Sequence, residues 1–392
     1  MIKHQHDAYE NAMIIAMPSS KSPLPDPALP SAPQPYWLKR GVIACLLWPA
    51  SLLFCIISKI RRWWLTSFRK PWRANVPIVI VGNLTAGGAG KTPTAIALIE
   101  FLLKNGHQPA LVSRGYGRER PIACVEVLPN STPTEVGDEP LLIKRRTGIP
   151  IFVATKRTKA VVNALEKYPQ TSVIISDDGL QHYALARDIE IIVFDERGTG
   201  NGWLLPAGLL REPLSRAKSA DLIIYNAPSP SLPLPGFMAQ RSLGGYLPLN
   251  TWLEQQATYR NDENGQTLSS IPWLPMNDMV EQQKLQATRI SAVAGIGSPQ
   301  RFFDMLNNTG LMLEHTLALP DHYDYPQDSF DTIDSDIILI TEKDAAKCMP
   351  FKNDTRLYVV TLTYTLNDEF FKQFEHLLEK HHPISEAKQT HG

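Results

Sequence analysis

The stretch VPIVIVGNLTAGGAGKTPTAIALIEFLLKNG, residues 76–106, decides the fold. Its opening run, 76–81, is apolar and β-branched, the pattern of a strand buried on both faces of a parallel sheet. Gly82, Gly87, Gly88 and Gly90 then mark a glycine-rich turn. Lys91 and Thr92 open a run with apolar residues at helical spacing (Ile96, Leu98, Ile99, Leu102, Leu103), and Asn105-Gly106 stops it. Strand, glycine turn, Lys-Thr and helix in this order make a phosphate-binding loop. Its backbone N–H groups turn inward toward phosphate oxygens, and the helix N-terminus adds its dipole. The expected nucleotide-binding residues are Thr85, Ala86, Gly87, Gly88, Ala89, Gly90, Lys91, Thr92 and Pro93. Lys91 is expected to reach the β- and γ-phosphates, and the Thr92 hydroxyl to ligate Mg²⁺. The usual G-x-x-x-x-G-K-[ST] pattern starts on glycine, where this chain has Thr85. The order of the elements therefore carries the reading, not the motif string.

The 392 residues suffice for two domains with cores of their own. Lysine plus arginine (39) balances aspartate plus glutamate (39), which leaves no global basic field for nucleic acid. The four cysteines are scattered outside any metal-binding spacing and read as reduced thiols. Residues 1–38 are polar, then rich in Pro and Ser, and are expected to form a disordered extension with no cleavable secretory signal. Residues 39–75 follow. Their apolar run, 42–57, is uncharged and flanked by Lys39 and Arg40 on one side and by Lys59, Arg61 and Arg62 on the other, with Trp63 and Trp64 adjoining. Basic flanks and interfacial tryptophans point to a membrane-anchor helix, with the heavier following charge keeping the next domain in the cytoplasm. As a helix the run spans roughly 24 Å, short of the roughly 30 Å hydrocarbon core, so crossing the bilayer and lying in one leaflet are both open. Pro49 is expected to kink it.

Strand–helix alternation continues from 76 to 226, which means a doubly wound parallel sheet, the first lobe. A strand at 108–112 leads into SRGYGR, whose arginines suit phosphates or bulk solvent equally well. Asp138 and Glu139 precede Pro140 and an apolar run. By themselves they read as an ordinary helix start, and alternatively as a carboxylate pair facing the nucleotide. The strand at 173–176 ends in Asp177-Asp178, where a magnesium-coordinating carboxylate is expected downstream of a phosphate loop. Further strands at 188–194 and 222–225 flank a loop holding Arg211-Glu212-Pro213. The Pro-rich stretch 228–236 reads as a hinge into a second α/β lobe spanning 227–382, interrupted by a polar insertion near 250–286 and followed by a tail, 383–392. In that lobe Gly295-x-Gly297 reads more readily as a tight βα turn than as an anion site. His322 beside Asp321 reads as a surface histidine when taken alone. Thr341-Glu342-Lys343-Asp344 misplaces the lysine of a guanine-reading T-K-x-D, which excludes GTP specificity on that ground.

The stretches VGNLTAGGAGKTP, SRGYGR, VGDEP, DDGLQH, LREP, AGIGSPQRFF, DHYDY and TEKDAAK together resemble the tetraacyldisaccharide 4′-kinases of lipid A biosynthesis. The resemblance covers roughly residues 39–380 and accommodates a hydroxyl residue at position 85. It implies a P-loop fold with two α/β lobes and a membrane-associated N-terminal helix. It implies transfer of the ATP γ-phosphate to the 4′-hydroxyl of an acylated glucosamine disaccharide 1-phosphate, with Mg²⁺, at the cytoplasmic face of the bacterial inner membrane. No obligate protein partner is expected. Under this resemblance Asp138 matches the catalytic carboxylate and His322 the histidine that works with it. Lys91 and Arg211 match residues that neutralise the transferring phosphate; Thr92, Glu139, Asp177 and Asp178 match the magnesium surroundings. A membrane-tethered P-loop NTPase switch is the alternative. It shares the loop but needs neither Asp138 nor His322.

Overall fold

The computed structural model describes residues 35–381 except 69, 119–123, 259–271 and 322. The N-terminal extension, His322, the centre of the insertion and the tail therefore lie outside the described residues. Helix α1 (Val42–Ser67) comes first, followed by β1 (Ile78–Gly82), α2 (Lys91–Lys104), β2 (Pro109–Ser113), β3 (Val125–Glu126), α3 (Pro133–Val136), α4 (Asp138–Thr147), β4 (Ile151–Val153), α5 (Arg157–Lys167), β5 (Val173–Asp177), β6 (Ile189–Asp195), β7 (Leu222–Asn226) and β8 (Phe237–Pro248). The chain continues through α6 (Leu249–Thr258), α7 (Met276–Gln286), β9 (Ile290–Ala294), α8 (Pro299–Asn308), β10 (Leu313–Ala318), β11 (Ile337–Thr341), α9 (Glu342–Ala345), β12 (Leu357–Leu366) and α10 (Asp368–His381).

Among the described residues twelve strands form one sheet, ordered β10-β9-β11-β12-β8-β7-β6-β1-β5-β2-β4-β3. The β-branched runs are buried on both faces, as in β1, β5, β6 and β7, because helices cover each side. One face of the first half packs Val79, Val81 and Ile191 against Leu98 and Leu102 of α2 and Phe370 and Phe374 of α10. The other packs Ile78, Ile80 and Phe194 against Ala160, Val161 and Ala164 of α5. The pairings are parallel except at β3–β4 and β8–β12. Strand β8 is the junction: its start pairs parallel with β7 through only Ile224↔Phe237 and Tyr225↔Met238, and its length then runs antiparallel to β12.

Two stretches differ from the sequence expectation. The segment 250–286 reads as low in periodicity, yet α6 and α7 flank its centre. Each is fixed by a few large residues: Trp252 and Leu253 on one, Met276, Met279 and Val280 on the other, all buried. The apolar run at 42–57 continues as helix to Ser67, giving 26 residues, about 39 Å at the usual rise, with Pro49 inside it. Among the described residues, one side of α1 meets the body. Ser51 Oγ donates to the Leu204 carbonyl (2.8 Å) and accepts from the Ala207 N–H (3.0 Å). Trp48 packs on Trp203. Val42, Leu46, Leu53, Ile57, Ile60 and Trp63 are exposed along the rest.

Candidate active site

β1 lies between β6 and β5, while its own crossover passes on to β2. The chain thus reverses direction across the sheet at β1, and the ends of β1, β5 and β6 form the crevice where open α/β sheets bind ligands. The phosphate loop, 82–91, opens there. Gly87 and Gly90 adopt φ of +92° and +97°, a region L side chains avoid. A Cβ on Gly82 would lie 2.6 Å from Leu180 Cβ, so only glycine lets the loop leave the strand beside β5's exit.

Neutral amides hold the loop. Asn83 Nδ2 donates to the Gly87 carbonyl (3.1 Å), its Oδ1 accepts from Lys91 Nζ (3.3 Å), and Asn226 Nδ2 donates to the Ala89 carbonyl (2.8 Å). Thr85 is fully buried and bridges to Leu210, and Ala86 N–H donates to the Leu209 carbonyl (2.7 Å). Lys91 is nearly buried at the start of α2, with Thr92 and Pro93 following in the first turn.

Asp177 and Asp178 sit together yet differ electrically. Asp178 is paired with Lys91 (3.6 Å) and Arg211 (3.3 Å). Burial alone would raise its pKa, but Lys91, Arg211 and Arg157 bring it below the usual carboxylate value. Asp177 is 1% exposed, and among the described residues neither carboxylate oxygen has a hydrogen-bond partner. Burial, reinforced by Glu139, pushes it up to about 7, with Lys91 opposing. Arg157, from α5, donates to the carbonyls of Asp177 and Asp178 and secures this corner.

Among the described residues no three His, Cys, Asp or Glu side chains gather closely enough to form a dedicated metal cage. Magnesium does not require one, since it is typically held by one or two carboxylates together with substrate phosphates and water. The orphaned oxygens of Asp177, with Thr92 at the loop, fit that kind of site.

A second cluster completes the site. Asp138, buried at the start of α4, pairs with Lys347 (3.0 Å), which also donates to the Tyr323 carbonyl (3.0 Å). Lys343 pairs with Asp321 at 2.7 Å. Burial tends to lower the Lys343 pKa, but Asp321, Glu139 and Asp138 carry it above the ordinary lysine value. Glu139 therefore acts on both clusters, raising Asp177 on one side and Lys343 on the other. Asp344 accepts from Thr341 Oγ1 (2.7 Å) and the Gly295 N–H (3.1 Å), so the G-x-G turn at 295–297 closes on protein.

The structure thus brings Lys91, Thr92, Asp177, Asp178 and Arg211 to one crevice and connects them through Glu139 to Asp138. A family model described as tetraacyldisaccharide-1-P 4′-kinase matches residues 43–380. The chain belongs to this family. A tetraacyldisaccharide 4′-kinase from Herminiimonas arsenicoxydans is 41% identical over 350 residues, covering 88% of this chain and 94% of the relative. One from Bordetella parapertussis is 43% identical over 337 residues, covering 86% and 92%. The crystal structure of LpxK from Aquifex aeolicus in complex with ATP is 26% identical, with a TM-score of 0.69, covering 86% of this chain and 100% of that one.

For a tetraacyldisaccharide 4′-kinase, the residues missed by sequence reasoning are Asn83, Asn226, Arg157 and Lys347. The amides carry no charge pattern to announce them. Lys347 was visible only as part of TEKDAAK, more than two hundred residues from the aspartate it pairs with.

Proposed function

We propose that this chain transfers the γ-phosphate of ATP to the 4′-hydroxyl of tetraacyldisaccharide 1-phosphate, with Asp138 as the base that prepares the hydroxyl. The observation that carries this reading, in a chain of this family, is the intact Gly90-Lys91-Thr92 loop facing two carboxylate pairs, 138–139 and 177–178, that differ in charge balance. A sugar hydroxyl is a weak nucleophile, and a carboxylate within reach removes its proton as it attacks. Lys347 balances the charge of Asp138 at 3.0 Å, and the family resemblance assigns His322 to work with it. Phosphoryl transfer otherwise depends on position and on neutralising charge on the moving group. Lys91 and Arg211, already gathered at Asp178, supply positive charge there. Thr92 and Asp177 would hold Mg²⁺, which would add positive charge to offset that of the phosphate chain.

Asp138 and Lys347 come from the two lobes, 76–226 and 227–382. Lobe closure would assemble the site and exclude water, limiting loss of ATP to hydrolysis. The short β7–β8 pairing supports flexing there. A variant cross-linked across that seam that kept full kinase activity would refute closure.

The one-sided docking of α1 supports an anchor at the cytoplasmic face of the inner membrane. Its bare apolar face takes up lipid, and Lys59 and Arg61 meet headgroups, while Arg62 turns to the body, paired with Glu212 at 3.8 Å and lying over the Tyr183 ring. A substrate with four acyl chains remains in that same layer.

The test is a product assay: full-length protein in detergent, Mg²⁺-ATP and tetraacyldisaccharide 1-phosphate, read by mass spectrometry for one added phosphate. Lys91→Ala and Asp138→Ala, both folded, should form no product. ATP hydrolysis indifferent to the lipid, with no phosphorylated product, would favour the tethered switch instead.

A further inference from the structure

Arg197 and Arg241 border the phosphate loop at Gly87 and Gly90, and Arg301 lies close enough to act on Arg241. Arg197 pairs with Asp195 at 2.6 Å, and Arg301 pairs with Glu196. Arg241, on β8, differs. Among the described residues it makes no ion pair, and its Nε is shut from solvent without an acceptor. It stands opposite Tyr364 of β12 in register, with its guanidinium 6.0 Å from that ring. The Tyr364 hydroxyl shares a hydrogen bond with Thr94 Oγ1 (2.8 Å), which also donates to the Gly90 carbonyl (2.9 Å). A terminal nitrogen of Arg241 would lie 2.9 Å from a Cβ placed on Gly90. The guanidinium thus abuts the last glycine of the loop, the residue before Lys91.

Burial, with Arg301 nearby, brings the Arg241 pKa down to about 10 against the weaker opposing pull of Tyr364, Asp195 and Glu196, so the group stays charged at neutral pH. Asp195 and Glu196 act on it only from a distance, each already paired with another arginine; a partly desolvated cation without a direct partner is costly, and such groups are normally paired. The two neighbouring arginines are. The missing anion has an evident source, because the loop beside Arg241 is built to take phosphate.

We propose that Arg241 is a nucleotide-binding residue supplied by β8, supplementing Lys91 in neutralising the phosphate chain of ATP. The strand shared by both halves of the sheet then registers whether the loop is filled. This rests on the kinase reading above and extends it to a residue of the second half.

Full-length protein in detergent is titrated calorimetrically with a non-hydrolysable Mg²⁺-ATP analogue, using wild type, Arg241→Met and Arg241→Lys, with KM for ATP and for lipid measured alongside. Methionine keeps much of the stem volume while removing the charge. Nucleotide Kd and KM for ATP should rise about tenfold or more in Arg241→Met, the scale of a charged hydrogen bond. KM for the lipid should hold, and Arg241→Lys should fall between. A folded Arg241→Met that binds nucleotide within about twofold of wild type overturns the proposal. So does equal loss in the methionine and lysine variants, which would mark a packing strut. Arg241→Gln replaces Arg241→Met if the latter does not fold. Wild type that binds no nucleotide and forms no product would instead be a failure of the kinase reading, and the proposal falls with it.

Discussion

Replacing Asp177 with asparagine should make the nucleotide-free protein more stable while abolishing its activity. Asparagine is nearly isosteric, and neither oxygen of Asp177 has a partner to lose among the described residues. Lifting this carboxyl from 3.8 to about 7 corresponds to about 4 kcal/mol at about 1.4 kcal/mol per pH unit. Relaxation and water entry around the charge reduce this, leaving about 2 kcal/mol as the working figure. The sign follows from the raised value. The native state holds the Asp177 proton more tightly than the unfolded chain, so its contribution is fully present below the unfolded pKa. It is lost as pH rises through about 7. Thermal unfolding in detergent without nucleotide, at pH 6 and pH 8.5, measures it. At pH 8.5 Asp177→Asn should melt about 3 °C above wild type, and the gap should narrow at pH 6. Adding Mg²⁺ and ADP should stabilise wild type more than the variant, since only the carboxylate favours a cation. A variant that melts below wild type at pH 8.5 would refute the argument, because Asp177 would then be contributing a favourable interaction.

Other substitutions test other contacts. Lys347→Met, which removes the ammonium paired with Asp138 at 3.0 Å, should lower kcat/KM about tenfold, with nucleotide Kd unchanged by calorimetry. Glu342→Ala strips the acceptor from Arg146 (3.1 Å) and Thr361 (2.6 Å); urea unfolding should show a loss of about 3 kcal/mol. Ser51→Val orphans the Ala207 N–H and leaves the Leu204 carbonyl with the Gly208 N–H alone; about 2 kcal/mol should go, with α1 becoming open to limited proteolysis while catalysis in detergent persists.

The first half of the molecule was legible because its evidence is local. β1, the glycine turn and α2 lie within thirty-one consecutive residues, and their order alone specifies a phosphate loop. Asp177 was legible for the same reason, as an aspartate ending a buried strand. The helix start at Asp138 was ambiguous for a physical reason: a carboxylate that complements a helix dipole and one that faces a substrate look alike in one dimension. What separates them is Lys347, brought to Asp138 only by the long return through β11. Helices α6 and α7 were hidden because each is fixed by a few buried residues amid polar ones, too few for a periodic pattern. Arg241 was hidden too, since an arginine in a strand signals nothing until its neighbours prove to be paired and it does not.

The bare side of α1 has a consequence for how this enzyme must be assayed. An enzyme seated in a lipid or detergent layer, acting on a molecule confined to that layer, meets substrate by diffusion in two dimensions. The relevant concentration is then the mole fraction of disaccharide in the surface, not moles per litre of suspension. Adding inert detergent at fixed substrate should slow the reaction by dilution within the surface, and the saturation curves should coincide once plotted against mole fraction.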